Sequence, residues 1–223
     1  MATPPQPDAP ARAPLSRERV LRTAVELADN GGIESLSMRK LGRTLGVEAM
    51  SLYNHVANKD DLLDGLADMV VSEIELPLPG EDWRLAMRRR AISAREMLSR
   101  HPWAGALIES RTRSSPARLR YPEAVVGSLL QAGFSAQMAL RAFFTLDSYI
   151  YGFAVQEQNM PSGTPEQLAG MAETILSGLP ADTYPSLRTV IVDHVLQAGF
   201  DYAEEFAFGL DLIIESLERL RGT

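Results

Sequence analysis

The stretch Ser37–Lys59, SMRKLGRTLGVEAMSLYNHVANK, decides the fold, because two short helical patterns meet in it and neither could be stable alone. Ser37 is a favourable N-cap for the first helix, and Leu41 and Leu45 recur at four-residue spacing on one apolar face. Gly46 ends that helix, because glycine readily adopts the left-handed conformation that closes helices. The pattern predicts two helices joined by a tight turn, each supplying part of the other's core.

The second of these helices is predicted from Glu48 to His55, with Leu52 on its inner face and Val56 just beyond its end. Its outward residues are Ala49, Met50, Ser51, Tyr53, Asn54 and His55. Such a helix is ~10 Å long and can enter a DNA major groove, which is ~12 Å wide. The alternative is a helical hairpin with a solvated polar face. Outward Met50 and Tyr53 favour DNA, because they can contact a thymine methyl group and a phosphate or sugar.

Composition indicates a globular protein. The chain has 223 residues, is 45% hydrophobic and contains no cysteine, which excludes a disulfide framework and a thiolate zinc site and suits a cytoplasmic location. No segment is apolar over eighteen residues, so we expect no membrane association. Residues 1–15 are rich in proline and alanine and predict a disordered arm without the apolar core of a signal peptide.

Charge is distributed unevenly around a net value of −7. Residues 11–60 contain eight basic and six acidic side chains, whereas residues 121–223 contain four basic and thirteen acidic ones. Phosphates attract basic surfaces and repel acidic ones. Only the amino-terminal part of the chain is therefore suited to approach a nucleic acid.

Two domains are predicted from the helix signals. A first helix from Ser16 to Asn30 completes a three-helix core, and Asn58 caps a fourth helix that continues to about Glu75. The run Leu76–Gly80, LPLPG, then breaks the helical pattern. We therefore expect an all-α chain with a helix-turn-helix domain over residues 16–76 and a second helical domain over residues 77–223.

The second domain contains two long apolar helices, predicted over residues 135–156 and 202–221. The first is apolar on nearly every side and should be buried all round, which suggests a four-helix bundle across a homodimer axis. The candidate dimer residues are Phe143, Ile150, Phe206, Leu210, Ile213 and Leu217. A helix over Pro165–Leu179 lies between them. An arginine-rich helix over residues 82–100 predicts pairing with neighbouring acids in preference to phosphate binding.

These motifs resemble the tetracycline-repressor (TetR) family of bacterial transcriptional regulators. The resemblance is carried by LSMRKLGRTLGVEAMSLYNHVANKDDLL at residues 36–63, QAGFS at 131–135 and FAFGLDLIIESLERL at 206–220. It implies an all-α homodimer whose amino-terminal domains bind a palindromic operator in double-stranded DNA. The carboxy-terminal domains would bind a small-molecule inducer that releases the DNA.

The resemblance also implies DNA contacts by Arg39, Tyr53, His55 and Lys59. The other positions of the same face are Ala49, Met50, Ser51 and Asn54. The tetracycline repressors have an amide side chain where this chain has Ala49. Because alanine cannot make a bidentate contact to adenine, the operator sequence should differ from theirs.

The implied ligand site departs further from that family. Thr112 and Arg113 fall on a Thr-Arg pair of the drug pocket, but Glu109 falls where the family's magnesium-binding histidine would be. We therefore expect no metal and no cofactor, and an apolar, aromatic pocket. The remaining candidate pocket residues are Trp103, Leu107, Phe143, Phe144, Asp147 and Tyr151.

Two other functions compete with that of a ligand-responsive regulator. A helical hydrolase using His101 or His194 is disfavoured, because Asp193 and His194 are adjacent on a helix and point to different faces. A Gly-rich phosphate loop, a Gly-x-Ser-x-Gly elbow and a His-Glu-x-x-His motif are all absent from the sequence. A DNA-binding dimer without any small-molecule ligand remains the main alternative.

Overall fold

A computed structural model describes residues 14–111, 115–160, 165–180, 183–197 and 200–222. These residues form helices and connecting segments, and no β-strand occurs among them, as the all-α prediction requires. The chain divides into two compact units, residues 1–66 and 67–223. The boundary between the units falls within a helix. It precedes the domain boundary predicted from the sequence, which lies after residue 76. The predicted arm, apart from residues 14 and 15, lies outside the described residues.

The first unit contains the predicted helices, although several of their ends differ from the prediction. The helices are α1 (Arg17–Gly31), a single 3₁₀ turn (Ile33–Ser35), α2 (Met38–Leu45), α3 (Ala49–Leu52) and α4 (Lys59–Val71), which continues into the second unit. Helix α3 ends before the predicted His55, and α4 ends before the predicted Glu75. Ser16 caps α1 by accepting a hydrogen bond from the Arg19 amide at 3.2 Å.

The second unit is built around α5 and α8. Its helices are α5 (Trp83–Arg100), α6 (Ala104–Ser110), α7 (Pro116–Gln131), α8 (Ala136–Gln158), α9 (Pro165–Gly178), α10 (Pro185–Val190), a π-helical turn (Ile191–Val195) and α11 (Tyr202–Leu220). Helix α5 packs against α7, α8 and α11, and α8 packs against α7 and α11. None of the described helices is long and apolar enough to cross a membrane.

The start of α8 shows why the sequence QAGFS marks a helix boundary. Gly133 has a φ of +92°, a conformation that side chains rarely adopt, and Ser135 accepts a hydrogen bond from the Met138 amide at 3.3 Å. Phe134 is buried and packs edge-to-face on Trp83, with ring centroids 4.9 Å apart. A left-handed glycine and a serine cap therefore form the boundary between α7 and α8.

Helix α8 is only partly buried within one chain, and its all-round burial across a dimer axis stays a prediction. Ala142, Leu146 and Ile150 are fully or almost fully buried, whereas Phe144 and Val155 are each 59% exposed. The helices packed on α8 cover only one of its sides. An apolar stripe therefore remains on the surface of the chain.

The arginines of α5 pair with carboxylates of other segments, as the sequence predicted. Arg88 contacts Asp211 at 3.0 Å, and Arg95 forms a two-pronged ion pair with Glu157. Arg90 differs from the rest because its side chain is completely buried. Burial of a cation requires a dedicated polar site around it.

Candidate DNA-binding and ligand-binding sites

The turn between α2 and α3 has the predicted chemistry. Ser37 accepts a hydrogen bond from the Lys40 amide at 3.2 Å and so caps α2. Gly46 has a φ of +72°, and the Val47 amide donates to the Gly42 carbonyl at 2.9 Å. The turn is therefore closed by backbone hydrogen bonds, which fixes the direction in which α3 leaves it.

One residue of helix α3 is buried, and its other residues are fully or partly exposed at the surface. Leu52 is completely buried, whereas Met50 is 75% exposed and Tyr53 is 43% exposed. The remaining predicted DNA-contacting residues are exposed or half-buried: Arg39, Ala49, Ser51, Asn54, His55 and Lys59. The surface of the first unit thus presents all eight predicted side chains, and their contact with DNA stays a prediction.

The segment after α3 is held by an ion pair that the sequence did not reveal. Arg17 donates to both carboxylate oxygens of Asp61, at 2.9 and 2.8 Å, and also to the His55 carbonyl at 3.0 Å. Asp61 in turn accepts from the Ala57 amide at 2.8 Å. Residues 53–58 are therefore tied to both α1 and α4, which fixes the end of α3.

The far end of α4 is bound within the second unit. Asp68 accepts hydrogen bonds from the Ser115 hydroxyl at 2.6 Å and from Arg118 Nε at 3.1 Å. Ser115 also caps α7 by accepting from the Arg118 amide at 3.1 Å. One helix thus begins at Lys59, a predicted DNA contact, and has its last turns attached to the start of α7.

The predicted pocket residues lie at several depths in the second unit. Trp103 and Leu107 are buried, and Phe143, Asp147 and Tyr151 are half-buried. Phe144 and Glu109 are exposed, and Thr112 and Arg113 lie outside the described residues. The deeper aromatic and acidic side chains therefore line the interior, whereas Glu109 and Phe144 face solvent in the single chain.

Arg90, Tyr121 and Asp147 form a polar cluster between α5, α7 and α8. Arg90 Nη1 donates to the Tyr121 hydroxyl at 2.6 Å and to Asp147 Oδ1 at 2.7 Å, and the Tyr121 hydroxyl donates to the same oxygen at 3.1 Å. Burial is the main reason that the pKa values of the Tyr121 and Tyr151 phenols are raised far above the ordinary range. Both tyrosines therefore stay neutral hydrogen-bonding groups.

Sequence reasoning missed Arg90 and Tyr121. Arg90 was grouped with the other arginines of α5, whose carboxylate partners the pattern predicts only in general terms. Its actual partners lie 31 and 57 residues further along the chain. A helical-face assignment could have placed Arg90 beside the buried Met87 and Ala94, but could not have supplied its partners.

Within the described residues, the predicted ligand site coincides with neither a cluster of metal-ligating side chains nor the open groove along α7. Among the described residues, no three His, Asp or Glu side chains lie close enough together to hold an ion. An open groove of about 480 Å³ follows α7 and is lined by Leu119, Arg120, Pro122, Glu123 and Val126. It contains none of the predicted pocket residues, and its shallow form suits a surface contact better than an enclosed ligand.

The predicted dimer residues lie at different depths in the single chain, and their contact with a second copy stays a prediction. Ile150, Phe206, Leu210 and Leu217 are buried in the core of the single chain, because α8 and α11 pack on each other and on α5. Phe143 and Ile213 are half-buried. The large apolar side chains that α8 and α11 leave exposed are different ones: Leu140, Phe144, Val155, Phe208, Leu212 and Leu220.

Comparison with known proteins identifies both parts of the chain. The family model for bacterial regulatory proteins of the tetR family matches residues 20–66, and that for the tetracyclin repressor-like C-terminal domain matches residues 76–221. The first match covers α2 and α3, and the second covers the unit that holds the Arg90 cluster.

Individual relatives agree with these models. The chain is 33% identical to the tetracycline repressor protein class C of Escherichia coli over 212 residues, which is 94% of this chain and 93% of the relative. It is 39% identical to an HTH-type transcriptional regulator of Saccharopolyspora erythraea over 139 residues, 62% of this chain and 59% of that longer protein.

A solved structure resembles the whole chain. The TetR family protein ActR of Streptomyces coelicolor, in complex with actinorhodin, superposes with a TM-score of 0.76 at 27% identity and covers 94% of this chain and 98% of that one. The relatives are named as regulators and repressors rather than enzymes. The chain therefore belongs to the TetR family of transcriptional regulators.

Proposed function

We propose that this protein is a homodimeric repressor that binds a palindromic operator and leaves it when a small molecule binds the second unit. The observation that carries the proposal is the outward face of α3, where Met50 and Tyr53 are exposed while Leu52 is buried. Exposed apolar and aromatic side chains on a short helix suit contact with base edges and sugars. The class C relative is named a tetracycline repressor, and ActR was solved with actinorhodin.

The proposed dimer surface is the exposed apolar stripe of α8 and α11. Leu140 and Phe144 are one turn apart on α8, as are Phe208 and Leu212 on α11, and these four are 50–65% exposed. Large apolar side chains in contiguous rows mark surfaces that associate. A two-fold axis would place each row against the same rows of the second copy, which forms a four-helix contact.

Helix α4 is the proposed connection between ligand and DNA. It begins at Lys59, and its last turns carry Asp68, which binds Ser115 and Arg118 at the start of α7. A ligand that displaces the start of α7 would move the end of α4 with it. Because the ligand can only favour the state that it binds more tightly, release requires different affinities for the two positions of α4.

A combined stability and DNA-binding assay tests the inducer mechanism. A labelled DNA fragment from upstream of the protein's own gene is titrated with the protein, and compounds are screened for those that raise its melting temperature. A compound that stabilises the protein is expected to release the DNA at the same concentration. If every stabilising compound leaves DNA affinity unchanged, the proposed release mechanism is wrong.

The alternative is a DNA-binding dimer without a ligand, and the same screen separates the two. The ligand-free alternative predicts that no compound raises the melting temperature of the protein, because a ligand that binds the folded state must stabilise that state. The completely buried, partly unpaired Arg90 side chain favours a ligand.

A further inference from the structure

Met50 differs from the other sulfur-containing side chains in its exposure. The chain has nine methionines and no cysteine, so thioethers are its only oxidisable sulfur groups. Met50 is 75% exposed, whereas every other methionine in the described part of the chain is buried or half-buried, and Met87 and Met97 have no exposed surface at all. Among the described methionines, reaction with a small oxidant in solution should therefore begin at Met50.

The position of Met50 on α3 connects this reactivity to the proposed DNA-binding face. Met50 shares its short helix with Leu52, which is completely buried and anchors the helix in the first unit. Tyr53 follows directly and is exposed. In the proposed complex, an outward side chain at position 50 meets base edges or sugars of the major groove, where an apolar group contacts a thymine methyl.

Hydrogen peroxide is the class of oxidant that fits an exposed thioether. The Met50 sulfur attacks one peroxide oxygen, a sulfur–oxygen bond forms, the O–O bond breaks, and the other oxygen leaves as water with both hydrogens. Sulfur gives up an electron pair and becomes a sulfoxide, and the same electron pair reduces the peroxide. The apolar side chain thereby becomes a polar one with a strong hydrogen-bond acceptor.

The sulfoxide oxygen is poorly matched to the surface that Met50 faces in the proposed complex. A thymine methyl group donates no hydrogen bond, and phosphate oxygens are acceptors themselves. The new acceptor therefore loses its water on DNA binding without gaining a donor in return, which weakens the complex. Because Met50 takes no part in the buried core, its oxidation should leave the fold intact.

We infer that Met50 is a reversible oxidation site through which peroxide weakens operator binding. Peroxide converts the free protein into a form with low DNA affinity, and a methionine sulfoxide reductase restores the thioether. The inference rests on the proposed function, because it needs DNA to bind the face that carries Met50. It gives that face a second chemical input, which is separate from an inducer bound to the second unit.

Limited treatment of the full-length protein with hydrogen peroxide tests the site. Peptide mass spectrometry should show that Met50 is oxidised before the half-buried Met160, and that saturating DNA from upstream of the protein's own gene protects Met50. Oxidation of Met50 should lower affinity for this DNA about tenfold, because the new acceptor is unpaired. Methionine sulfoxide reductases of both stereochemical types should restore it.

Several results overturn the inference. They are slower oxidation of Met50 than of Met160, unchanged or tighter DNA binding after Met50 is oxidised, and a loss of affinity that the reductases do not reverse. Loss of the native circular dichroism spectrum on oxidation also overturns it, because unfolding would then explain the weaker binding.

Two matched variants assign the effect to Met50, and each is compared with its own untreated sample. Met50→Leu keeps an apolar side chain but forms no sulfoxide, so peroxide should change its DNA affinity by less than about twofold. Met160→Leu removes a methionine that follows α8, and peroxide should lower its affinity about tenfold, as in the wild type. Equal losses in Met50→Leu and the wild type contradict the inference.

DNA binding by the untreated wild type separates the two claims. If the untreated protein does not bind the DNA, the proposed function fails and the oxidation site fails with it. If the untreated protein binds and Met50→Leu is as sensitive to peroxide as the wild type, only the oxidation site is wrong.

Discussion

Gly42 on α2 and Ala49 on α3 are in direct backbone contact: a β-carbon at Gly42 would lie 3.2 Å from the Ala49 α-carbon and 2.9 Å from the Val47 carbonyl oxygen. Both neighbours are backbone atoms, which cannot rotate away as a flexible side chain can. The absence of a side chain at Gly42 therefore sets the distance between the two helices, and with it the position of the proposed DNA-binding face.

Replacing Gly42 by alanine should separate α2 from α3. We expect the free energy of unfolding to fall by about 1–3 kcal/mol, because the new methyl group overpacks a backbone contact. Operator affinity should fall as well. Urea denaturation followed by circular dichroism measures the first effect, and fluorescence anisotropy with labelled operator measures the second.

Gly127→Ala is the matched control, since Gly127 also lies inside a helix but has no atom within 4 Å of the position that its β-carbon would take. There the alanine should stabilise the protein by about 1 kcal/mol, through helix propensity alone. If Gly42→Ala is as stable as Gly127→Ala and binds the operator normally, the contact between α2 and α3 does not position the DNA-binding face.

Asp68 is expected to couple ligand binding to DNA release. In Asp68→Ala, the end of α4 loses its hydrogen bonds to Ser115 and Arg118. We expect the ligand to bind this variant as tightly as it binds the wild type. The ligand should reduce operator affinity less than in the wild type, so the coupling free energy between ligand and operator should fall by about 0.5–2 kcal/mol. Operator titrations with and without saturating ligand give this quantity. Glu96→Ala on the exposed face of α5 is the control, and equal coupling in the two variants would remove Asp68 from the connection.

Phe208→Glu should dissociate the proposed dimer. Phe208 is 65% exposed in the single chain, and a carboxylate buried there on association would lack a partner. Sedimentation equilibrium should show a dissociation constant raised by about two orders of magnitude. Leu78→Glu, at a position that is 60% exposed in the loop before α5, should leave the association unchanged. A wild-type monomer, or an unaltered dimer in the Phe208 variant, would contradict the proposed surface.

Alkaline pH should destabilise the protein through its buried phenols. Burial raises the pKa of Tyr121 in the folded state, so its contribution to stability is complete below the unfolded-state pKa near 10 and is lost as pH rises above it. Each such tyrosine should cost about 1.4 kcal/mol per pH unit above 10. Urea denaturation between pH 10 and 11 should therefore give a smaller loss for Tyr121→Phe than for the wild type. Equal losses would show that Tyr121 ionises normally in the fold.

Local signals predicted much of the fold. Ser16 and Ser37 each accept the hydrogen bond expected of a helix cap, because capping depends only on residues two or three positions away. Helix ends were less accurate. Ile74 continues the apolar spacing of α4 and is buried, but the helix already ends at Val71, and the following chain binds α5 through a hydrogen bond from the Glu75 amide to the Ser93 hydroxyl at 3.0 Å.

Contacts between distant segments could not be predicted in the same way. The Arg90 cluster joins three helices, and the choice of Asp147 as partner over other acids depends on how those helices pack. The depth of each apolar side chain in the single chain was not predicted for a related reason. Periodicity identified the apolar faces of α11, but it did not distinguish Phe206, which faces the chain's own core, from Phe208, which faces outward.

Binding of DNA by α3 and the start of α4 is tested by the operator affinity of a Tyr53→Ala, Lys59→Ala double variant. Both residues are exposed, so the fold should be retained while affinity falls roughly tenfold or more through lost phosphate and sugar contacts. The control is a Tyr184→Ala, Arg188→Ala double variant. Tyr184 lies just before α10 and Arg188 lies on α10, and both are exposed. This variant should bind the operator as the wild type does. Undiminished binding by the Tyr53 and Lys59 variant would contradict the assignment of DNA binding to this helix-turn-helix.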